Sequence, residues 1–131
     1  MTVFFLSDSK NEAKKLLLRV LDMIIPKNKI TVIKNAGELE YHLRKQLHDN
    51  IIAVLVPANR SELTDIIALK NIFGDIPIIL IIPDRENDTI ALGYKLRPRF
   101  ITYADSDFLD VAAVLMKMKN KMEDKEGAYE R

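Results

Sequence analysis

Short apolar runs alternate with segments of helical periodicity along the whole chain. The runs lie at residues 3–6, 30–33, 51–56, 76–82 and 100–103. The third and fourth are continuous rather than alternating, and they are rich in isoleucine and valine. Continuous runs of this kind are typical of strands in a parallel sheet that is covered on both faces.

The segments between the runs predict five helices. The first has an apolar stripe at three- and four-residue spacing, and it follows a capping pattern formed by Ser9 and Glu12. The second has Asn35 as its N-cap, with Glu38 three residues later. The other three are predicted at residues 61–74, 87–96 and 108–122.

Five alternations of strand and helix predict an α/β fold, with a doubly wound parallel sheet and helices on both faces. Right-handed crossovers favour the flavodoxin-like strand order 2-1-3-4-5. A length of 131 residues indicates one domain. We assign residues 1–122 to that domain and residues 123–131 to a charged C-terminal tail, the frayed end of the last helix.

The charge balance argues against several function classes. Twenty Lys+Arg against nineteen Asp+Glu give a net charge of +1, so we expect no nucleic-acid partner and no membrane surface. The absence of cysteine excludes disulfides, a thiol nucleophile and a thiolate metal site. The first residues lack the basic region of a signal peptide, and no apolar run reaches the roughly 18 residues of a membrane span. We therefore expect a cytoplasmic protein.

Three stretches of the chain resemble a known family. They are "VFFLSDSKNEAKKLLLRVL", "GDIPIILIIPDRENDTIALG" and "RFITYADSD". In their order and spacing they are similar to the receiver domain of two-component response regulators, the CheY-like domains, over nearly the whole chain. The resemblance implies a receiver-type fold and a role in signal transduction.

The family's phosphorylation chemistry needs five positions at the carboxyl ends of the strands. These are an acidic pair that binds Mg²⁺, a phosphoacceptor aspartate, a hydroxyl and a lysine. The resemblance places Ser7 and Asp8 at the acidic pair, Val56 or Pro57 at the acceptor, Ile82 at the hydroxyl and Tyr103 at the lysine. A further shift of register reaches Ala58 or Asn59, and no register restores a carboxylate.

The absence of the acceptor carboxylate and of the lysine leads, through electrostatics, to a prediction about function. Phosphoryl transfer depends on positioning and on neutralisation of charge by a metal and a cation. Without them, each phosphate charge about 4 Å from Asp8 would cost roughly 4 kcal/mol at an effective dielectric near 20. We expect a pseudo-receiver with no phosphoacceptor, no catalytic residue, no metal and no cofactor. Its function would be phosphorylation-independent docking to other proteins, as a non-enzymatic interaction module.

A charged surface is the predicted partner face. In the receiver family the fourth helix, fifth strand and fifth helix commonly mediate dimers and docking. On this chain that face would contain Lys95, Arg97, Arg99, Tyr103, Asp107 and Asp110. The cations could meet Asp107, Asp110 or Glu86 of a second copy, which would make a homodimer. The alternative is an ordinary solvated charge cluster. Tyr103 is either a partner-contacting switch residue or a filler of the space that a lysine would cross.

A second function class uses the crevice itself. Asp8, Asp84 and Tyr103 could serve as polar contacts in a small-molecule or metal binding domain, or in a small enzyme, because flavodoxin-like folds host many activities. Against it, the loops after the strands are short on glycine, hydroxyl groups and basic residues, which anion binding would need.

Three aspartates and two histidines are candidate metal ligands, but each also has a simpler role. Asp84 and Asp105 could join Asp8 in a metal site, but each lies shortly before a predicted helix and is expected to be a loop or N-cap residue. His42 and His48 are six residues apart and cannot share a helix face. We expect both to be solvent-exposed rather than metal ligands.

Overall fold

The fold is a five-stranded parallel sheet. The structure is a computed structural model that describes residues 1–8, 12–45 and 50–129. Side chains are described for all of these residues except 12 and 125–129. The strand order is β2-β1-β3-β4-β5, so the predicted doubly wound topology is confirmed. The strands are β1 (Thr2–Ser7), β2 (Ile30–Ile33), β3 (Ile51–Val56), β4 (Ile78–Ile82) and β5 (Phe100–Tyr103).

Helices cover both faces of the sheet. They are α1 (Glu12–Ile24), α2 (Ala36–Lys45), α3 (Arg60–Ile67), α4 (Lys70–Phe73), α5 (Asn87–Tyr94) and α6 (Leu109–Tyr129). The predicted cap of α2 is confirmed, since the Glu38 N–H donates to Asn35 Oδ1 at 2.9 Å. The Glu38 carboxylate in turn accepts the N–H of Lys34, the residue before the cap, at 2.9 Å. Ser9, the predicted cap of α1, lies outside the described residues.

Two hydrophobic cores lie on opposite faces of the sheet. Alternate strand residues such as Phe4 and Leu55 pack with α2, α3, α4 and α5. Their neighbours, such as Phe5 and Val54, pack with α1 and α6. Because successive side chains point to opposite faces, a strand buried on both sides needs a continuous apolar sequence. All six residues of β3 are buried for this reason.

The third predicted helix is wrong in one respect, because the segment forms two helices. Asn59, not Ser61, caps α3, and the chain turns at Leu69 before α4 begins. Buried Leu63, Ile66 and Leu69 are spaced by three residues, and three residues turn an α-helix by only about 300°. In one straight helix, side chains at this spacing would turn progressively away from the sheet. The break between α3 and α4 lets the apolar side chains on both sides of it face the core.

The last helix is longer than the sequence predicted. It runs to Tyr129, through most of the segment assigned to a charged tail, whereas the predicted helix ended at residue 122. Glutamate and lysine are good helix formers, and Lys119 pairs with Glu123 one turn later at 3.9 Å. The boundary between domain and tail stays a prediction.

A buried glycine brings α5 close to the sheet. A Cβ on Gly93 would lie 3.0 Å from Leu80 Cδ2 and 3.2 Å from Ile101 Cδ1. Gly93 is thus the residue that lets α5 pack on β4 and β5. Within the described ranges, no helix has the length and apolar character needed to cross a membrane.

Candidate functional site

The carboxyl ends of β1, β3, β4 and β5 form the crevice where doubly wound folds place their sites, hereafter the carboxyl-end crevice. Ser7 is buried, and its hydroxyl lies 3.4 Å from the Asp8 carbonyl oxygen. Asp8 is half-buried, and the residues that follow it, 9–11, lie outside the described chain. The side chains of Val56 and Ile82 are fully buried, one in each hydrophobic core. Neither projects a polar group into the crevice.

The end of β3 leads directly into a helix cap. Pro57 is buried, and the extended Asn59 accepts the Glu62 N–H on its side-chain oxygen at 2.9 Å. The Glu62 carboxylate accepts the Ala58 N–H at 3.2 Å. These two bonds, one to the N-cap and one from the residue before it, fix the start of α3 immediately after the strand. The polar groups that follow β3 are therefore used in holding the turn.

Glu62 adds an acidic group that the sequence analysis missed. Burial raises the pKa of its carboxyl, the Ala58 N–H partly offsets this, and the charges of Asp8 and Asp65 raise the pKa further. Glu62 thus lies within electrostatic range of Asp8. The spacing Asn59-x-x-Glu62 repeats the Asn35-x-x-Glu38 pattern and was a readable signal.

Arg60 connects the β3–α3 turn to the β4–α5 loop. Its Nε donates to the buried Thr89 hydroxyl at 3.0 Å, and its guanidinium pairs with the Glu86 carboxylate. Thr89 also bonds to the carboxylate of Asp84, which accepts the Glu86 N–H at 2.9 Å. The Glu86 N–H, followed by Thr89, lowers the pKa of Asp84. The four side chains form one network across two loops.

Arg85 connects the β4–α5 loop to the β5–α6 loop. Two of its nitrogens contact the two carboxylate oxygens of Asp105, at 2.9 and 3.3 Å. This bond raises the pKa of Arg85 and lowers the pKa of Asp105. The guanidinium carbon lies 3.9 Å from the centre of the Tyr103 ring, in cation–π range. Arg85 therefore covers Tyr103, the residue for which the resemblance predicts the position of the family's lysine.

The comparisons with known proteins give one clear result. No family model matches the chain, and no curated protein matches it in sequence. A crystal structure of a CheY-like response regulator protein from Mesorhizobium loti matches with a TM-score of 0.59 and 13% identity, over 92% of this chain and 97% of that one. This chain has the CheY-like receiver fold. Identity at this level shows a shared fold alone.

The carboxyl-end crevice of this chain contains two cations that the sequence analysis overlooked, Arg60 and Arg85. The statement that the loops after the strands are short on basic residues is wrong, because Arg60 and Arg85 follow β3 and β4 within four residues. Each arginine is paired with an acid from the next loop, Glu86 or Asp105. These pairings join residues 26 and 20 positions apart, which no local pattern reveals.

The residues of the alternative ligand and metal sites are engaged in loop contacts. Asp84 and Asp105 stabilise the loops before α5 and α6, and Tyr103 lies under Arg85. Among residues 1–8, 12–45 and 50–129 no group of three acidic, histidine or cysteine side chains could hold a metal ion. His42 was expected to be exposed but is half-buried, with its ring 5.7 Å from that of Phe4, whereas His48 lies outside the described residues.

The predicted partner face divides into two charged ends. Lys95, Arg97 and Arg99 are exposed at the amino end of β5. Asp107 and Asp110 are exposed at its carboxyl end. The Asp107 carboxylate accepts the Leu109 N–H at 3.1 Å, and the Asp110 carboxylate accepts the Thr102 hydroxyl at 3.1 Å and the Val111 N–H at 2.8 Å. The cations and acids of this face therefore lie toward opposite ends of the four-residue strand β5.

Proposed function

We propose that this chain is a pseudo-receiver, a non-enzymatic signalling module that acts by docking to a protein partner and does not depend on phosphorylation. The observation that carries the proposal is the end of β3, where Val56 and Pro57 are buried and neither offers a carboxylate. The receiver fold of a CheY-like response regulator protein supports the signalling role. Receiver folds are typically signalling domains rather than enzymes.

Local charge supports phosphorylation independence. The described residues of the crevice include five carboxylates and two arginines, namely Asp8, Glu62, Asp84, Glu86 and Asp105 with Arg60 and Arg85. A phosphoryl group would add negative charge to this excess. It would also have to draw an arginine away from its present partner, and such a displacement opposes binding.

The cross-loop pairs also support a switch that works without chemistry at the crevice. In a phosphorylated domain the new charge reorganises the loops. Here Arg60 and Arg85 already tie three successive loops together. A partner would supply any change of state, and about 5.5 kcal/mol of differential binding is enough to shift a population from 1:99 to 99:1.

The direct test is chemical phosphorylation of the purified protein. Incubation with acetyl phosphate and Mg²⁺ should give no acyl phosphate by intact-mass spectrometry. Beryllofluoride with Mg²⁺ should leave the amide spectrum of the crevice unchanged. A phosphorylatable receiver treated in parallel provides the positive control. A stable phosphoprotein would contradict the proposal, whichever residue carries it.

The face formed by α5, β5 and α6 is the proposed docking surface, and a second copy of the chain is a candidate partner. Because its cations and acids lie at opposite ends of β5, a two-fold arrangement with antiparallel β5 strands would bring Arg99 of one copy to Asp107 of the other. Rim charges of this kind determine register and specificity more than affinity.

Charge reversal tests this dimer. Arg99→Glu and Asp107→Lys should each shift the mass measured by light scattering from dimer toward monomer. The combined variant should restore the dimer, because the two charges are then exchanged. A monomeric wild type, or a dimer unchanged by either single variant, would remove the homodimer from the proposal.

A further inference from the structure

A cavity lies at the opposite edge of the sheet from the carboxyl-end crevice. Its volume is about 460 Å³, and it sits at the amino ends of β4 and β5, between α4 and the segment after α5. We call it the amino-end cavity. It is lined by Lys70, Asn71, Phe73, Gly74, Asp75, Ile76, Ile78, Lys95, Leu96, Arg97 and Arg99. A volume of this size is in the range of small-molecule sites, roughly 300 to 1,000 Å³.

The rim of the amino-end cavity has a strong excess of positive charge. Four cations line it, Lys70, Lys95, Arg97 and Arg99, against the single acid Asp75. None of the four forms an ion pair with any other residue in the part of the chain that the structure describes. Like charges gathered around one cavity with a single acid repel one another, so an anion bound among them is favoured.

The floor of the amino-end cavity includes three apolar side chains, within a lining that is mostly polar. Phe73, Ile78 and Leu96 line it and are 2%, 3% and 5% exposed. A cationic rim over an apolar floor matches a ligand with two unlike parts. One part would be an anionic group held by the rim, and the other a ring or short apolar moiety placed over the floor.

The backbone around the amino-end cavity holds the arginines in place. Arg97 has a φ of 52°, a left-handed conformation uncommon for arginine, and its N–H donates to the Tyr94 carbonyl at 3.0 Å. The Arg99 N–H donates to the Ile78 carbonyl at 2.8 Å. Pro98 between them further restricts the chain. The two guanidinium groups therefore start from an anchored segment rather than a free loop.

From this arrangement we infer that the amino-end cavity binds a small organic phosphate, with its phosphate groups on the cationic rim and its ring over the apolar floor. Guanidinium groups match phosphate oxygens in geometry, and lysines add point charge. The whole chain has a net charge of only +1, which disfavours a nucleic-acid track. This inference goes beyond the proposed docking function, and because Arg99 belongs to both sites, a dimer paired through Arg99 would compete with the ligand.

The test is an amide-spectrum titration of the intact protein with pyrophosphate, ADP and adenosine. Pyrophosphate and ADP should shift resonances at residues 70–78 and 95–99, with ADP the tighter ligand because it also covers the floor. Adenosine should bind at least about tenfold more weakly than ADP, since it lacks the charge-assisted bonds. ADP binding no tighter than pyrophosphate would overturn the role of the floor.

Matched variants locate the site. Arg99→Gln and Lys95→Gln should each weaken ADP about tenfold. Arg19→Gln, which removes the same charge from an exposed position on α1, should change affinity less than about twofold. Equal losses in all three variants would mean nonspecific charge attraction and would overturn the site. So would the absence of shifts in these segments, or tighter binding of a poly-glutamate peptide or DNA oligonucleotide than of ADP.

Discussion

The two ends of β4 and β5 differ in whether their cations are paired with acids. At the carboxyl end, Arg60 and Arg85 are each paired with an acid from a neighbouring loop. At the amino end, four cations surround a cavity, and none forms an ion pair among the described residues. Ion pairs that tie loops together favour a fixed structure, whereas unpaired like charges favour an incoming ligand.

The fold by itself does not determine which end of the sheet carries a functional site. In doubly wound proteins the crevice at the carboxyl ends of the strands is the usual site. In this chain Val56 and Pro57 are buried at that crevice and two ion pairs join its loops, whereas the described cavity lies at the other edge. The receiver fold alone therefore does not identify the working end, because function depends on the side chains at each end.

The largest effect should come from forcing a carboxylate onto the end of β3. Val56 is fully buried, so Val56→Asp should destabilise the protein by about 3–5 kcal/mol, the cost of an uncompensated buried charge. Val56→Ala should cost less, about 1–2 kcal/mol, because it only removes methyl groups. Urea unfolding at pH 7 measures both. An aspartate tolerated as well as the alanine would mean that this strand end is open to an acceptor after all.

A smaller effect should follow from pushing α5 away from the sheet, since this helix joins the two ends. Gly93→Ala places a Cβ against Leu80 and Ile101, and overpacking should outweigh the gain in helix propensity for a net loss of about 1 kcal/mol. Ala91→Gly, at an exposed position of the same helix, should cost about 0.5–1 kcal/mol through propensity alone. Only Gly93→Ala should also shift amide resonances at both ends of β4, and a spectrum unchanged beyond α5 would contradict the packing argument.

The comparison between the ends also makes a prediction about paired and unpaired arginines. Arg60→Gln removes the bond to Thr89 and the ion pair with Glu86, and because both groups of that pair are largely exposed the loss should be about 1 kcal/mol. Arg99→Gln at the cavity should leave stability unchanged or slightly raised, since it relieves repulsion. Equal destabilisation by the two variants would show that the two ends do not differ in this way.

The sequence predicted the sheet well because its strands are defined by local pattern. The continuous apolar runs of β3 and β4 mark strands buried on both faces, and order 2-1-3-4-5 follows from chain topology. The break before α4 was missed, although the three-residue spacing of Leu63, Ile66 and Leu69 signalled it. No proline or glycine marks this break, because it follows from packing.

The two charged ends were harder to predict because their contacts are long-range. Arg60 meets Glu86 across 26 residues, and the amino-end cavity joins residues 70–78 to residues 95–99. The sequence did indicate that Lys95, Arg97 and Arg99 lie close together. It did not indicate that Lys70 joins them. Such groupings arise only when the strands are placed side by side.

The smallest and most selective effect concerns pH at the carboxyl-end crevice. The pKa values of Asp84 and Asp105 are lowered in the folded protein, so they contribute stability that is present above their unfolded pKa and lost as pH falls through the folded value. The raised pKa of Glu62 acts in the opposite sense, since its ionisation at higher pH costs stability.

Asp105→Asn should therefore weaken the loss of thermal stability below about pH 4. Glu62→Gln should retain the capping bond and remove the loss that accompanies ionisation of Glu62 as pH rises. Melting curves from pH 3 to 7 test both signs, and a Glu62→Gln profile parallel to the wild type would show that Glu62 does not have a raised pKa at the crevice.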